Sequence, residues 1–221
     1  MSLFPLKPVM IRHAAFAALL AAAPVAMAVQ TGQHPAEDAT AAAQYKSLHV
    51  STNPKLVVAG EYQLDPHHTS VIAKLSHMGL SRYTLRFDTV SGRYAFDPKH
   101  AAASDLEITI DPKSIDTGDK DFDKRIAGKF LQTDRYPSIT FKSAKARIVG
   151  DHVRVEGILD FHGVQKPIVL NVTYRGFAQS RMGFSGETTF KRSAFGVAQW
   201  IPLEADEVTI LVETEFVKTR K

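Results

Sequence analysis

Nine histidines are the first residues of this 221-residue chain that could do chemistry, and several stand near partners. His67 and His68 are adjacent, with Ser70 two residues on and His77 beyond; Asp160 and His162 lie two apart. A histidine beside a serine can act as general base to a nucleophile, and an aspartate can orient an imidazole. Histidines can also ligate zinc. The spacing supports neither chemistry. Neighbours on a strand point to opposite faces, so His67 and His68 do not converge. The chain has no His-x-x-x-His pair, no Gly-x-Ser-x-Gly elbow and no phosphate-binding glycine loop. It also has no cysteine, which removes thiol nucleophiles, disulfides and every cysteine-containing metal site. The histidines read as hydrogen-bonding residues of turns. No catalytic residue, metal or cofactor is implied.

The elements that must position these residues are strands. From Gly150 to Arg175, Val153, Val155, Gly157, Leu159 and Phe161 alternate with more polar neighbours. After a break at His162-Gly163, Ile168, Leu170, Val172 and Tyr174 do the same. Period-two alternation predicts a hairpin with one buried face and one wet face. The same grammar recurs at 57–64 (ended by Asp65-Pro66), 71–77, 83–87, 94–96 after a turn at Ser91-Gly92, 106–110, 138–142, 182–190 and 208–216. Pro112 to Lys129 differs: it is charged, with Ile115, Phe122 and Ile126 irregularly spaced. That segment reads as a short helix with turns over one end of the sheet. About eight antiparallel strands and little helix imply an all-β domain, a sandwich or a closed barrel.

Residues 1–28 have another character. Lys7, Arg12 and His13 lead into the apolar run Ala14 to Val25, and Ala26-Met27-Ala28 offers small residues at a cleavage spacing. This is the layout of a secretory signal peptide cut after Ala28, and it predicts a soluble periplasmic or secreted protein. Residues 29–55 lack an apolar period and read as a flexible tether, leaving 56–218 as the domain. The net charge of +4 falls by two without Lys7 and Arg12, to 25 basic against 23 acidic residues, interspersed. No basic footprint for nucleic acid exists.

Ordered motifs along the domain resemble the YceI-like family of exported lipid- or polyisoprenoid-binding proteins. They are Asp65-Pro66 with His68-Thr69-Ser70-Val71, His77-Met78-Gly79, Ser114-Ile115-Asp116-Thr117, Phe130-Leu131 and Tyr136-Pro137-Ser138-Ile139-Thr140-Phe141. Gly157-Ile158-Leu159-Asp160-Phe161-His162-Gly163-Val164-Gln165-Lys166-Pro167, Lys191 to Gly196 and Asp206-Glu207-Val208 complete the pattern. Ala73 stands where the family more often has an aromatic, and Leu85 where it often has glycine. Asp121-Phe122-Asp123 replaces an Arg-Asp pair. The resemblance implies an extended, lipocalin-like, eight-stranded antiparallel barrel with one short helical segment over one end. It implies a long apolar tunnel holding an isoprenoid chain, such as a polyprenyl phosphate or a quinone tail, and no enzyme. The Gly-x-Trp opening of true lipocalins is missing, since the single Trp is Trp200.

On the strand pattern, the inward set is Val71, Ala73, Leu75, Tyr83, Leu85, Phe87, Ile108, Phe141, Leu159, Phe161, Leu170, Phe184, Phe190 and Ile210, with Gly157 and Gly186 as thin places in the wall. Alternation alone is satisfied by a sealed core, because eight strands leave an interior that side chains can fill. The resemblance turns this set into the lining of a lipid tunnel. Two other readings stay open: a non-catalytic interaction or stress protein with a sealed barrel, and a hydrolase or isomerase of an apolar substrate. Ser70 with His68, or Asp160 with His162, would serve the latter; the charged run Asp116 to Lys129 would serve the former. Whether the barrel forms a homodimer or touches membranes transiently is also open.

Overall fold

The structure, a computed structural model, describes residues 40–44, 48–99, 105–149 and 151–219. The signal peptide expected at 1–28 and most of the tether lie outside the described residues. The chain divides into two units, Met1–Ala43 and Gln44–Lys221. In the first, the described residues 40–43 are helical. The second unit holds the sheet.

Among the described residues, eleven strands make one antiparallel sheet: β1 (Gly60–Leu64), β2 (Ser70–His77), β3 (Ser81–Phe87), β4 (Val90–Phe96), β5 (Asp105–Ile110), β6 (Ile115–Asp116), β7 (Ile139–Val149), β8 (His152–Phe161), β9 (Val164–Ala178), β10 (Arg181–Lys191) and β11 (Glu204–Lys218). The order β1-β4-β5-β7-β8-β9-β10-β11 returns to β1, so the sheet closes into an eight-stranded barrel. β2, β3 and β6 extend it. β11 pairs with β1 through residues 216–218 and with β2 through residues 204–213, so β1 and β2 run on one line. β3 and β4 likewise follow one another beside that line, and β6 and β5 beside them. Eleven runs therefore fill eight positions around the barrel.

Two of the interruptions have local causes. Between β1 and β2, Pro66 has no N–H for the ladder, and Asp65 accepts the His67 N–H at 3.0 Å to cap a single 3-10 turn. Between β3 and β4, the Thr89 N–H donates to Ser114 Oγ at 2.9 Å, and the Asp88 N–H to the Ser114 carbonyl. The turn expected at Ser91-Gly92 is displaced to this point, and both residues lie inside β4. Gly92 is there because a Cβ would sit 2.6 Å from Ile108 Cδ1 on the neighbouring strand. Close packing, not a turn, explains that glycine.

The β8–β9 hairpin forms as its alternation predicts. His162 and Gly163 have φ of 53° and 73°, the left-handed pair that a two-residue turn between right-twisted strands requires. Within the stretch read as a tether, Ser51 bridges to Phe177, and Asn53 caps a 3-10 turn at Pro54–Leu56. β10 has eleven residues, and at 3.3 Å each the barrel wall is about 36 Å long there.

Candidate functional site: an apolar cavity under an aromatic cap

Alternation around a closed barrel sends every second side chain inward, and here those side chains leave space. They enclose a cavity of about 290 Å³ with an almost wholly apolar wall. Its size is near the lower end of the ~300–1,000 Å³ usual for small-ligand sites.

The expected inward residues converge on it strand by strand. Val71, Ala73 and Leu75 of β2, Tyr83, Leu85 and Phe87 of β3, Ile108 of β5 and Phe141 of β7 all line it. So do Leu159 and Phe161 of β8, Leu170 of β9, Phe184, Gly186 and Phe190 of β10, and Ile210 of β11.

Gly157 is the exception and corrects the expectation of a thin wall there. A Cβ on it would lie 2.4 Å from the Lys142 carbonyl oxygen and 2.5 Å from Phe141 Cζ. The Phe141 ring already fills that space, next to a bulge where Ser143 faces Gly157 and Lys145 faces Glu156. Gly186 does border the cavity, and its nearest neighbour to an added Cβ is Leu170 Cδ1 at 3.3 Å. The two glycines share a face but not a role.

One end of the cavity is roofed by the charged segment. Asp119 caps the short helix Lys120–Arg125 through the N–H groups of Asp121 and Phe122. A π-helical turn, Ile126–Phe130, follows. Asp123 is buried and accepts the Thr117 N–H and the Thr117 hydroxyl, both at 2.7 Å, and the Lys120 ammonium at 3.2 Å. These bonds outweigh its burial and hold its carboxyl below the usual aspartate range. Charge on this segment therefore folds the segment. Its apolar side, Phe122, Ile126, Phe130 and Leu131, faces the cavity. Trp200, from the β10–β11 connection, stacks on Phe122 at 5.9 Å and meets Phe130 edge-on at 4.8 Å. Arg125 lies over the Trp200 ring at 5.1 Å.

Residues 62–216 match the profile of the YceI-like domain. The chain belongs to the YceI-like family. Protein YceI of Shigella flexneri is 30% identical over 171 residues, spanning 74% of this chain and 90% of that protein. The crystal structure of Burkholderia cenocepacia BcnA superposes with a TM-score of 0.64 at 30% identity, over 69% of this chain and 98% of the other. A polyisoprenoid binding domain from Saccharophagus degradans, implicated in plant cell wall breakdown, has the same fold: TM-score 0.59, 18% identity, 73% and 100% coverage.

Within this YceI-like barrel the acid–base pairs conceivable from sequence do not assemble. His68 Nδ1 bonds Asp65 Oδ2 at 2.9 Å rather than Ser70. His162 Nδ1 meets the Phe195 carbonyl at 3.2 Å, its ring packed on Tyr136, while Asp160 accepts from Gln165. Asp65, His68 and Glu215 bring ligand atoms within 4.8 Å of one another. Arg181 already sits between the two carboxylates, at 2.6 Å from Asp65 and 2.9 Å from Glu215. That arginine holds the Asp65 carboxyl far below the usual range, with His68 adding to the effect. The group is a structural knot at the β1–β2 break.

Sequence reasoning missed the polar part of the lining. Arg192, Gln199 and Glu204 belong to the β10–β11 connection and its flanks, where periodicity carries no information. One signal was present: Glu204 is in phase with Val208, Ile210 and Val212 of the inward face.

Proposed function

We propose that this protein is a non-catalytic carrier that holds an isoprenoid lipid in its barrel, working in the periplasm after removal of residues 1–28. The observation that carries this reading is the apolar cavity itself, lined by side chains from all eleven strands and the aromatic cap. Each methylene taken from water contributes ~0.8 kcal/mol, so even a few isoprene units offset the ordering entropy of binding. An apolar wall selects on length and shape and needs no directional chemistry. The name of the Saccharophagus degradans domain, which shares the fold, agrees with such a ligand.

Native mass spectrometry and organic extraction of the protein purified from its own host test the reading. An isoprenoid should co-purify. A lipid-free protein that binds no isoprenoid on addition would leave only a sealed barrel. Gly186→Leu sharpens the test, since it adds bulk at the cavity wall where Leu170 Cδ1, 3.3 Å from an added Cβ, is the nearest neighbour. The variant should fold and lose retained lipid, whereas Arg154→Ala, on the exposed face of β8, should change neither. Export is checked separately: N-terminal sequencing of the mature protein should begin at Val29.

A further inference from the structure

The cavity wall is almost wholly apolar, with the hydroxyl residues Thr69, Ser185, Thr188 and Thr214 among its lining and formal charge at one place only. Among its lining residues, Arg192 and Glu204 alone carry formal charge, with Gln199 between them in the chain. Arg192 is buried, and each of its three guanidinium nitrogens donates to a main-chain carbonyl: Nε to Ala205 at 2.9 Å, Nη1 to Val197 and Nη2 to Glu204 at 3.1 Å. These bonds tie down the β10–β11 connection and use three of the five guanidinium N–H groups.

The acceptors are different. Glu204 Oε2 and Gln199 Oε1 are both buried and neither has a hydrogen-bond partner in the protein. The other carboxylate oxygen of Glu204 lies 3.8 Å from His77 Nε2, too far for a hydrogen bond, and the side chain is 16% exposed. The connection that carries both residues is itself fixed, with the Glu204 N–H donating to the Trp200 carbonyl at 2.9 Å. Buried acceptors without donors are rare in folded proteins because water's hydrogen bonds have been given up for nothing. Two such oxygens at the end of a hydrocarbon-lined cavity are complementary to a group that donates.

We infer that Glu204 and Gln199 form a head-group subsite selecting an isoprenoid whose polar end is a hydrogen-bond donor, such as a hydroxyl, over one ending in a phosphate. The inference rests on the carrier reading above and narrows its ligand class. A hydroxyl can give its proton to Glu204 Oε2 and receive no penalty from the rest of the wall. A phosphate would bring negative charge against the Glu204 carboxylate in a low-dielectric site, where like charges repel strongly, and the nearby Arg192 guanidinium is already engaged with three carbonyls. A head with carbonyl oxygens alone would leave both acceptors as they are.

Three probes of equal chain length separate the possibilities: geranylgeraniol, geranylgeranyl monophosphate and the hydrocarbon phytane. Their dissociation constants are measured for the full-length mature protein by displacement of a fluorescent fatty probe. Geranylgeraniol should bind about tenfold or more tightly than the monophosphate. Glu204→Leu should abolish most of the alcohol's advantage over phytane, and phytane should still bind, which also shows that the barrel is intact. Glu204→Gln, nearly the same shape, should raise monophosphate affinity by several-fold and keeps the test decisive if the leucine variant does not fold. Monophosphate binding equal to or tighter than alcohol binding overturns the subsite. So does an alcohol preference that survives both Glu204 variants and Gln199→Leu. If none of the three probes binds, phytane included, the carrier reading itself fails and the subsite falls with it.

Discussion

β10 carries an arginine at each end, Arg181 at its start and Arg192 just after its last residue, and the two ends of the barrel differ as these arginines do. At the first end Arg181 is partly exposed and bridges two carboxylates, Asp65 and Glu215, whose charges are fully answered. At the other end Arg192 is buried and neutral groups answer it, while a nearby carboxylate oxygen and an amide oxygen answer nothing. Satisfied polar groups describe a joint. Unsatisfied ones, beside an apolar cavity, describe a place for something else.

The largest effect should come from Arg192→Met. Removing the guanidinium strands three carbonyls, one in a buried and two in partly buried bonds, each costing about 1–3 kcal/mol, so a loss of about 3 kcal/mol in urea unfolding is expected. A loss under ~1 kcal/mol would show that the connection is not held by this residue, and the contrast between the ends would break down.

Gly163→Val comes next, at the same end as Arg192. It forces a branched side chain into φ of 73°, with Tyr136 Cε1 2.5 Å from the new Cβ, and should cost about 2 kcal/mol with or without lipid. An unchanged melting temperature would mean the turn can be rebuilt around Tyr136.

The Arg181 end should respond weakly at neutral pH and strongly to acid. Arg181 holds the folded-state pKa of Asp65 below its unfolded value, so this interaction stabilises fully above about pH 4 and is lost as pH falls below that. Arg181→Met should lower stability by about 1 kcal/mol at pH 7, and the deficit should shrink as pH falls below about 4. A deficit that persists undiminished in acid would assign Arg181 a packing role instead.

The inward face of the barrel was legible in the sequence, the contrast between its ends was not, and the difference has physical reasons. Alternation in β8 to β11 marks the inward face directly, because side chains on a strand have a period of two. It marks the face but not the depth, which is why Gly157 and Gly186 look alike in sequence. A cross-strand ring, Phe141, closes over one and leaves the other beside the cavity. Ser91-Gly92 reads as a turn for the same reason: composition alone does not separate a glycine needed for its backbone from one needed for its missing side chain. Phe122, Ile126 and Phe130 were visible as apolar residues, yet their shared direction depends on a helix that passes into a wider π turn. Gln199 and Arg192 flank or lie within a connection whose shape is set by hydrogen bonds between distant residues, and no local pattern encodes those.

The route of β11 has a further consequence, in the order of events as the chain folds. This last strand, fifteen residues long, pairs with β10 along one side and with both β1 and β2 along the other. Contacts so distant in sequence form slowly, because a long loop must close before they reward it. A chain emerging from its amino end therefore stays an open, curved sheet until its final strand arrives. For that interval the face that later becomes the inside of the barrel is an outside, and the moment of closure is also the moment at which whatever lies against it is enclosed.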